Sequence, residues 1–188
     1  MGRCNLCLQE KELKLSHIIP HFAVKWLKET SLTGYLRGLT SNKRHQETRR
    51  EYLLCGDCEQ LLGRDEREFC QQVFNPYHEA KQTSFAYDVW LKRFLIGVHW
   101  RVIVTANDSC PETVRAILDR TAETWRRFLL NESDDDGGAE LHLFFADIIE
   151  GCTFVPPKKA NWYLARGFDA TPAFNKMEMC LSMRNSSR

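Results

Sequence analysis

Leu53-Leu54-Cys55-Gly56-Asp57-Cys58-Glu59 decides the fold. An apolar run enters a Cys-x-x-Cys pair, and residues 58–74 then carry Leu61, Leu62, Phe69 and Phe74 at helical spacing. A second pair, Cys4-Asn5-Leu6-Cys7, stands far upstream, with residues 8–54 between them. A Cys-x-x-Cys turn sets two thiolates on one side of a tight knuckle, and two knuckles together complete the tetrahedral sulfur shell that Zn²⁺ prefers. A redox Cys-x-x-Cys needs no second pair. The spacing therefore predicts a structural zinc on Cys4, Cys7, Cys55 and Cys58. Cys70, Cys110, Cys152 and Cys180 are scattered singly and are expected as ordinary core residues.

The segment between the pairs has its own pattern. Leu13 to Ile19 alternates and then turns apolar, which predicts a strand stopped by Pro20. Phe22, Trp26 and Leu27 recur at helical spacing over residues 20–29. Residues 31–50 set Arg37, Lys43, Arg44, Arg49 and Arg50 against one acid, Glu47, with His45 among them. This polar, basic loop is a candidate for contact with phosphates. Glu51 to Leu54 predicts a strand running into the second knuckle. Knuckle, short strands, knuckle and helix add up to an α+β treble clef over residues 1–80, in which metal replaces much of the core.

Asn75-Pro76-Tyr77 predicts a break, with a module boundary near residue 80. Residues 81–188 are expected to form an α+β accessory domain. Its helices are placed at 84–105, rich in Phe85, Trp90, Phe94 and Trp100, and at 111–130, started by Ser109, Pro111 and Glu112. Short strands are expected at 141–149, 162–168 and 177–183, divided by Pro156-Pro157 and Pro172. That half is the candidate surface for a protein partner or self-association.

Composition excludes several classes. With 188 residues, 43% of them hydrophobic, the chain can bury a proper core, so wholesale disorder is excluded. Twenty-six Lys and Arg against 25 Asp and Glu leave a formal charge of +1, so a nucleic-acid surface must be local. The apolar runs at residues 94–98 and 141–145 fall far short of the ~20 needed to cross a bilayer. No signal-peptide core follows Met1, and a cytoplasmic location without a membrane partner is expected. Cysteines in that reducing compartment hold metal in preference to forming disulfides.

The order Cys4-x-x-Cys7, Leu15-Ser16-His17-Ile18-Ile19-Pro20, Leu53-Leu54-Cys55-x-x-Cys58 at a helix start resembles the zinc-bearing HNH (His-Me finger) endonucleases. The resemblance covers about the first 75 residues. It implies a ββα unit in which His17 is the general base and a catalytic Mg²⁺ or Mn²⁺ sits on the phosphate being cut, with DNA as the expected substrate. An imidazole suits that role because its ordinary pKa, near 6.5, lets it take a proton at neutral pH. The match departs from the family twice. Ser16, a weak candidate ligand for the catalytic metal, stands where a carboxylate or imidazole usually precedes the base, and Glu59 stands where the helix usually offers His or Asn. Glu59 is a hard oxygen ligand suited to Mg²⁺, and Glu66 lies two turns further along the same helical face. The Asn of the family's name has no counterpart, although Arg50 lies near its place. Compact proteins of this kind resemble those of bacterial defence or mobile elements. The competing expectation is a zinc-stabilised nucleic-acid-binding or adaptor module that does not cut.

Overall fold

A computed structural model describes residues 1–30, 34–37, 44–45, 47–106, 111–143, 170–174 and 179–183. For residues 37, 44–45, 170–174 and 179–183 it describes the backbone alone. In chain order the elements are strands β1 (Gly2–Arg3), β2 (Glu10–Lys11) and β3 (Leu13–His17), helix α1 (His21–Thr30), and strands β4 (Leu36–Arg37), β5 (Arg44–His45) and β6 (Arg50–Cys55). Helix α2 (Gly56–Phe69), a π-helical turn (Cys70–Phe74), helices α3 (Asn75–Ala80), α4 (Val89–Thr105) and α5 (Glu112–Leu129), and strands β7 (Ala170–Phe174) and β8 (Met179–Met183) complete it. The chain is thus mixed helix and strand. It divides into one unit of residues 1–22 and 49–141 and a second of residues 23–48 and 142–188.

In the first unit, β3 and β6 pair antiparallel from Leu13↔Cys55 to His17↔Arg50. The register shifts between Lys14 and Leu15, which leaves Leu53 as an extra residue on β6. β6 passes directly into α2 at Gly56, so Cys55 is both the last strand residue and the helix N-cap. Asp57 and Glu59 lie in the first turn, where the helix dipole favours negative charge. Lys11 holds Asp57 at 2.9 Å and ties the β1–β2 hairpin to that turn.

The expected break at Asn75-Pro76-Tyr77 does not stop the helical path. The wider turn at Cys70–Phe74 accommodates Pro76, whose ring and missing N–H would disrupt an uninterrupted α-helix. The path ends at Lys81, in left-handed conformation at φ 58°. Helix α4 starts at Val89, later than the expected residue 84, because Asp88 caps it by accepting a hydrogen bond from the Val89 N–H at 2.6 Å.

Helix α4 then returns onto α2, so residues on both sides of the boundary expected near residue 80 belong to the first unit. Phe69 of α2 stacks on Phe94 of α4 with ring centroids 4.1 Å apart, and Val73, Leu95 and Val98 close the cluster around them. A Cβ added at Gly97 would lie 3.7 Å from Leu62 and 3.8 Å from Leu129, so α4 runs between α2 and α5 there. The apolar face of the knuckle helix is too large to leave in water, and the aromatic helices are what cover it. Two partly buried ion pairs reinforce the contact. Arg93 binds Asp65 at 3.1 Å and also donates to the carbonyls of Phe128 and Leu129 at the end of α5, and Arg101 binds Glu66. Burial pushes the Asp65 carboxyl above its ordinary range, and the Arg93 guanidinium opposes that shift.

In the second unit, β4 pairs with β5 and β7 pairs with β8, both antiparallel. Pro172 was expected to separate strands, yet it sits within β7. A two-stranded ladder has an open edge on which a residue lacking an N–H is tolerated. β8 occupies the latter part of the strand expected over 177–183. Residues 141–143 form no strand, and the remainder of the strand expected over 141–149, together with the one over 162–168, lies outside the described residues. Among the described residues no helix is long and apolar enough to cross a membrane.

Candidate metal centre and strand-end histidine

The two Cys-x-x-Cys pairs meet. The sulfur atoms of Cys4, Cys7, Cys55 and Cys58 all lie within 4.8 Å of one another, and none is oxidised to a disulfide. Cys7 Sγ and Cys55 Sγ are 3.8 Å apart. Four sulfurs tetrahedrally placed at about 2.3 Å from one zinc would be separated by about 3.8 Å. The donor set therefore fits a metal such as zinc in size and in chemistry.

The first knuckle is shaped for thiolates by its backbone. The Cys4 N–H donates to the Gln9 carbonyl at 2.9 Å and the Leu8 N–H to the Cys4 carbonyl at 2.8 Å, closing the loop. Leu8 takes a left-handed conformation, φ 60°, to do so. The turned-in amides of Leu6 and Cys7 then point at Cys4 Sγ, and the Cys55 N–H reaches it from the second knuckle at 3.3 Å. Burial alone would raise the Cys4 thiol, but these N–H donors prevail and bring it down to about 7. Burial raises Cys7 and, with the adjoining thiols, strongly raises Cys58. Four clustered sulfurs can therefore ionise together only if a cation shares the site.

The knuckle is anchored on both sides. The Asn5 N–H donates to the Leu53 carbonyl of β6 at 3.1 Å. From α5, Arg126 donates to the carbonyl of fully buried Leu6 at 3.2 Å while gripping Glu123 and Glu132. Sequence reading misses Arg93, Arg101 and Arg126 as positioning residues. Arg101 alone gives a signal, a cation within the apolar run Trp100 to Val104.

His17 closes β3, half-buried, and the Ile18 N–H behind it donates to the Arg49 carbonyl at 3.3 Å. Exposed His21, the first residue of α1, brings its ring to 5.1 Å from that of His17. Ser16 is turned the other way. It is 2% exposed and its hydroxyl donates to the Lys14 carbonyl at 3.4 Å, because successive strand residues point to opposite faces. Ser16 and His17 therefore do not converge on one ligand.

Glu59 lies on the first turn of α2, and its Oε1 is buried with no hydrogen-bond partner. The Glu66 carboxylate is taken by Arg101, whose side chain is itself 4% exposed. Neither Glu59 nor Glu66 joins a cluster of three metal-binding side chains among the described residues. Of the basic loop, Arg49 is held by Glu51 at 2.6 Å and by the Thr105 carbonyl at 2.8 Å, whereas Arg50 is exposed. In the second unit, Arg37 pairs with Arg44 and Leu36 with His45 along β4–β5, and Lys43 lies outside the described residues. Cys70 is half-buried and donates to Asn75 Oδ1 at 3.6 Å; Cys110 and Cys152 lie outside the described residues, and Cys180 lies in β8. Comparison with models of known protein families, with characterised proteins and with solved structures finds no match to this chain.

Proposed function

We propose that the chain is a metal-dependent endonuclease acting on DNA, built on a zinc-held treble clef of the HNH type. The observation that carries this reading is the order strand β3 ending in His17, antiparallel strand β6, and helix α2 issuing from Cys55 inside a four-thiol cluster. In the proposed reaction His17 takes the proton of the attacking water, a step that typically contributes 10²- to 10⁴-fold. The buried, unpartnered Oε1 of Glu59 supports that residue as the holder of a hard cation, since an unpaired carboxylate oxygen away from water is costly. Mg²⁺ or Mn²⁺ bound there would offset charge on the scissile phosphate. Arg50 would meet a neighbouring phosphate, and zinc on the thiols would serve structure alone.

A second reading, a nucleic-acid-binding or adaptor module that does not cut, is favoured by one observation: buried Ser16 offers nothing beside His17. Incubation of the purified protein with supercoiled, linear and single-stranded DNA and with RNA, in Mg²⁺ or Mn²⁺, separates the two. The endonuclease reading expects nicking or cutting of DNA that His17→Ala lowers at least 100-fold while zinc content is kept. Equal behaviour of wild type and His17→Ala on every substrate would leave the binding module in its place.

A further inference from the structure

The alternation that buries Ser16 sends Leu15 and His17 to the other face of β3, and the register sets them opposite Tyr52 and Arg50 of β6. Leu15 is 42% and Tyr52 70% exposed, a cross-strand apolar pair with no cover. Among the described residues the Tyr52 ring makes no aromatic contact and its hydroxyl no hydrogen bond, and Arg50 has no ion-pair partner. Neighbouring charges are already used: Arg49 by Glu51, and Lys14 by Glu12 at 2.8 Å. One aromatic ring, one aliphatic neighbour and one unpaired guanidinium thus share a narrow strip of sheet with His17.

We infer that this outward face of β3–β6 is a docking surface for an unpaired nucleic-acid strand, with a base stacked on Tyr52 against Leu15 and the adjoining phosphate on Arg50. The identification of a nucleic acid rests on the proposed nuclease reading; the preference for an unpaired strand comes from the surface itself. A base inside a duplex hides its faces, whereas an unpaired base offers a π-face that any aromatic ring can take. A cation beside the ring then supplies the backbone contact. The surface deepens the role of His17, since a strand held on Tyr52 and Arg50 runs past that imidazole.

The test is fluorescence anisotropy of a labelled oligo-dT and of a labelled duplex of equal length, without added Mg²⁺ or Mn²⁺ so that binding is read apart from cutting. Wild type is expected to prefer the single strand. Tyr52→Ala should weaken that binding about 5- to 150-fold, the range for loss of one stacked base, while Tyr52→Phe retains it. Arg50→Gln should lower the salt dependence of single-strand binding by about 0.7 in log-log slope. Because both side chains are exposed, zinc content and melting should stay at wild-type values. Unchanged binding by Tyr52→Ala, or no binding by wild type, overturns the inference. So does a change in sedimentation for Tyr52→Ala, which would make the strip a contact between copies. Binding as expected in a protein that never cuts would remove the nuclease reading and keep this one. Cutting that is indifferent to Tyr52 would do the reverse.

Discussion

The thiol-clamped hairpin and the helical core beside it belong to one unit but are held by different physics. Around β3 and β6 few large side chains are buried, Leu6, Leu53 and Leu54 among them, and four sulfurs converge where a core would otherwise be. Around α4, by contrast, Phe69, Val73, Phe94, Leu95 and Val98 interlock, and Trp100 is wholly buried with its indole N–H donating to the Ala122 carbonyl at 3.1 Å. One region brings together a donor set that could hold a metal such as zinc in place of a core, and the other is held by burying apolar side chains away from water. They are connected through Arg126 on the Leu6 carbonyl and through α2 itself.

The strongest way to break the comparison is to remove the clamp. Structural zinc contributes on the order of 10–16 kcal/mol in small metal-held folds, so Cys55→Ser or prolonged chelation should dismantle the β3–β6 hairpin. Amide exchange should rise first over residues 2–17 and 50–58 and then at the Arg126 end of α5, because the Leu6 carbonyl anchor goes with the knuckle. Loss confined to the knuckle, with α5 protected as before, would make the two regions separate modules after all.

The core responds on a smaller scale and without metal. Phe94→Ala removes one half of the Phe69 stack and should cost about 3–5 kcal/mol in denaturant melts. Bound zinc should remain at the wild-type ratio in the folded fraction. A loss below about 1 kcal/mol would place Phe94 outside the core.

The smallest expected effect sharpens the account of the knuckle. Leu8 holds φ 60° with its side chain 40% exposed. Left-handed backbone costs a side-chain-bearing residue roughly 1–2 kcal/mol, and glycine loses roughly 0.5–1 kcal/mol of chain entropy elsewhere. Leu8→Gly should therefore leave the melting temperature unchanged or slightly raised. A clear drop would mean that the Leu8 side chain contributes packing to the knuckle.

How much of this was legible in the sequence follows the same division. The cysteine pairs announce their meeting because thiolate chemistry fixes spacing locally, and β3, β6 and the helix beyond Cys55 follow from short-range pattern. The fate of residues 81–130 was not legible. Helical periodicity marks α4 and α5 as amphipathic but does not say which surface their apolar faces meet, and the stop expected at Pro76 hid the continuous path to residue 80. At the candidate site, His17 stands out by its position after Ser16, but the placing of those two residues on opposite faces depends on register. Glu66 and its helical spacing gave no warning that Arg101, 35 residues on, would occupy its carboxylate.

X-ray absorption at the zinc edge, on protein purified without added metal, tests the four-thiol clamp most directly. One zinc per chain with four sulfur neighbours at about 2.3 Å is the expected result. Folded protein without zinc, or zinc bound by nitrogen and oxygen with the cysteines unligated, would contradict it.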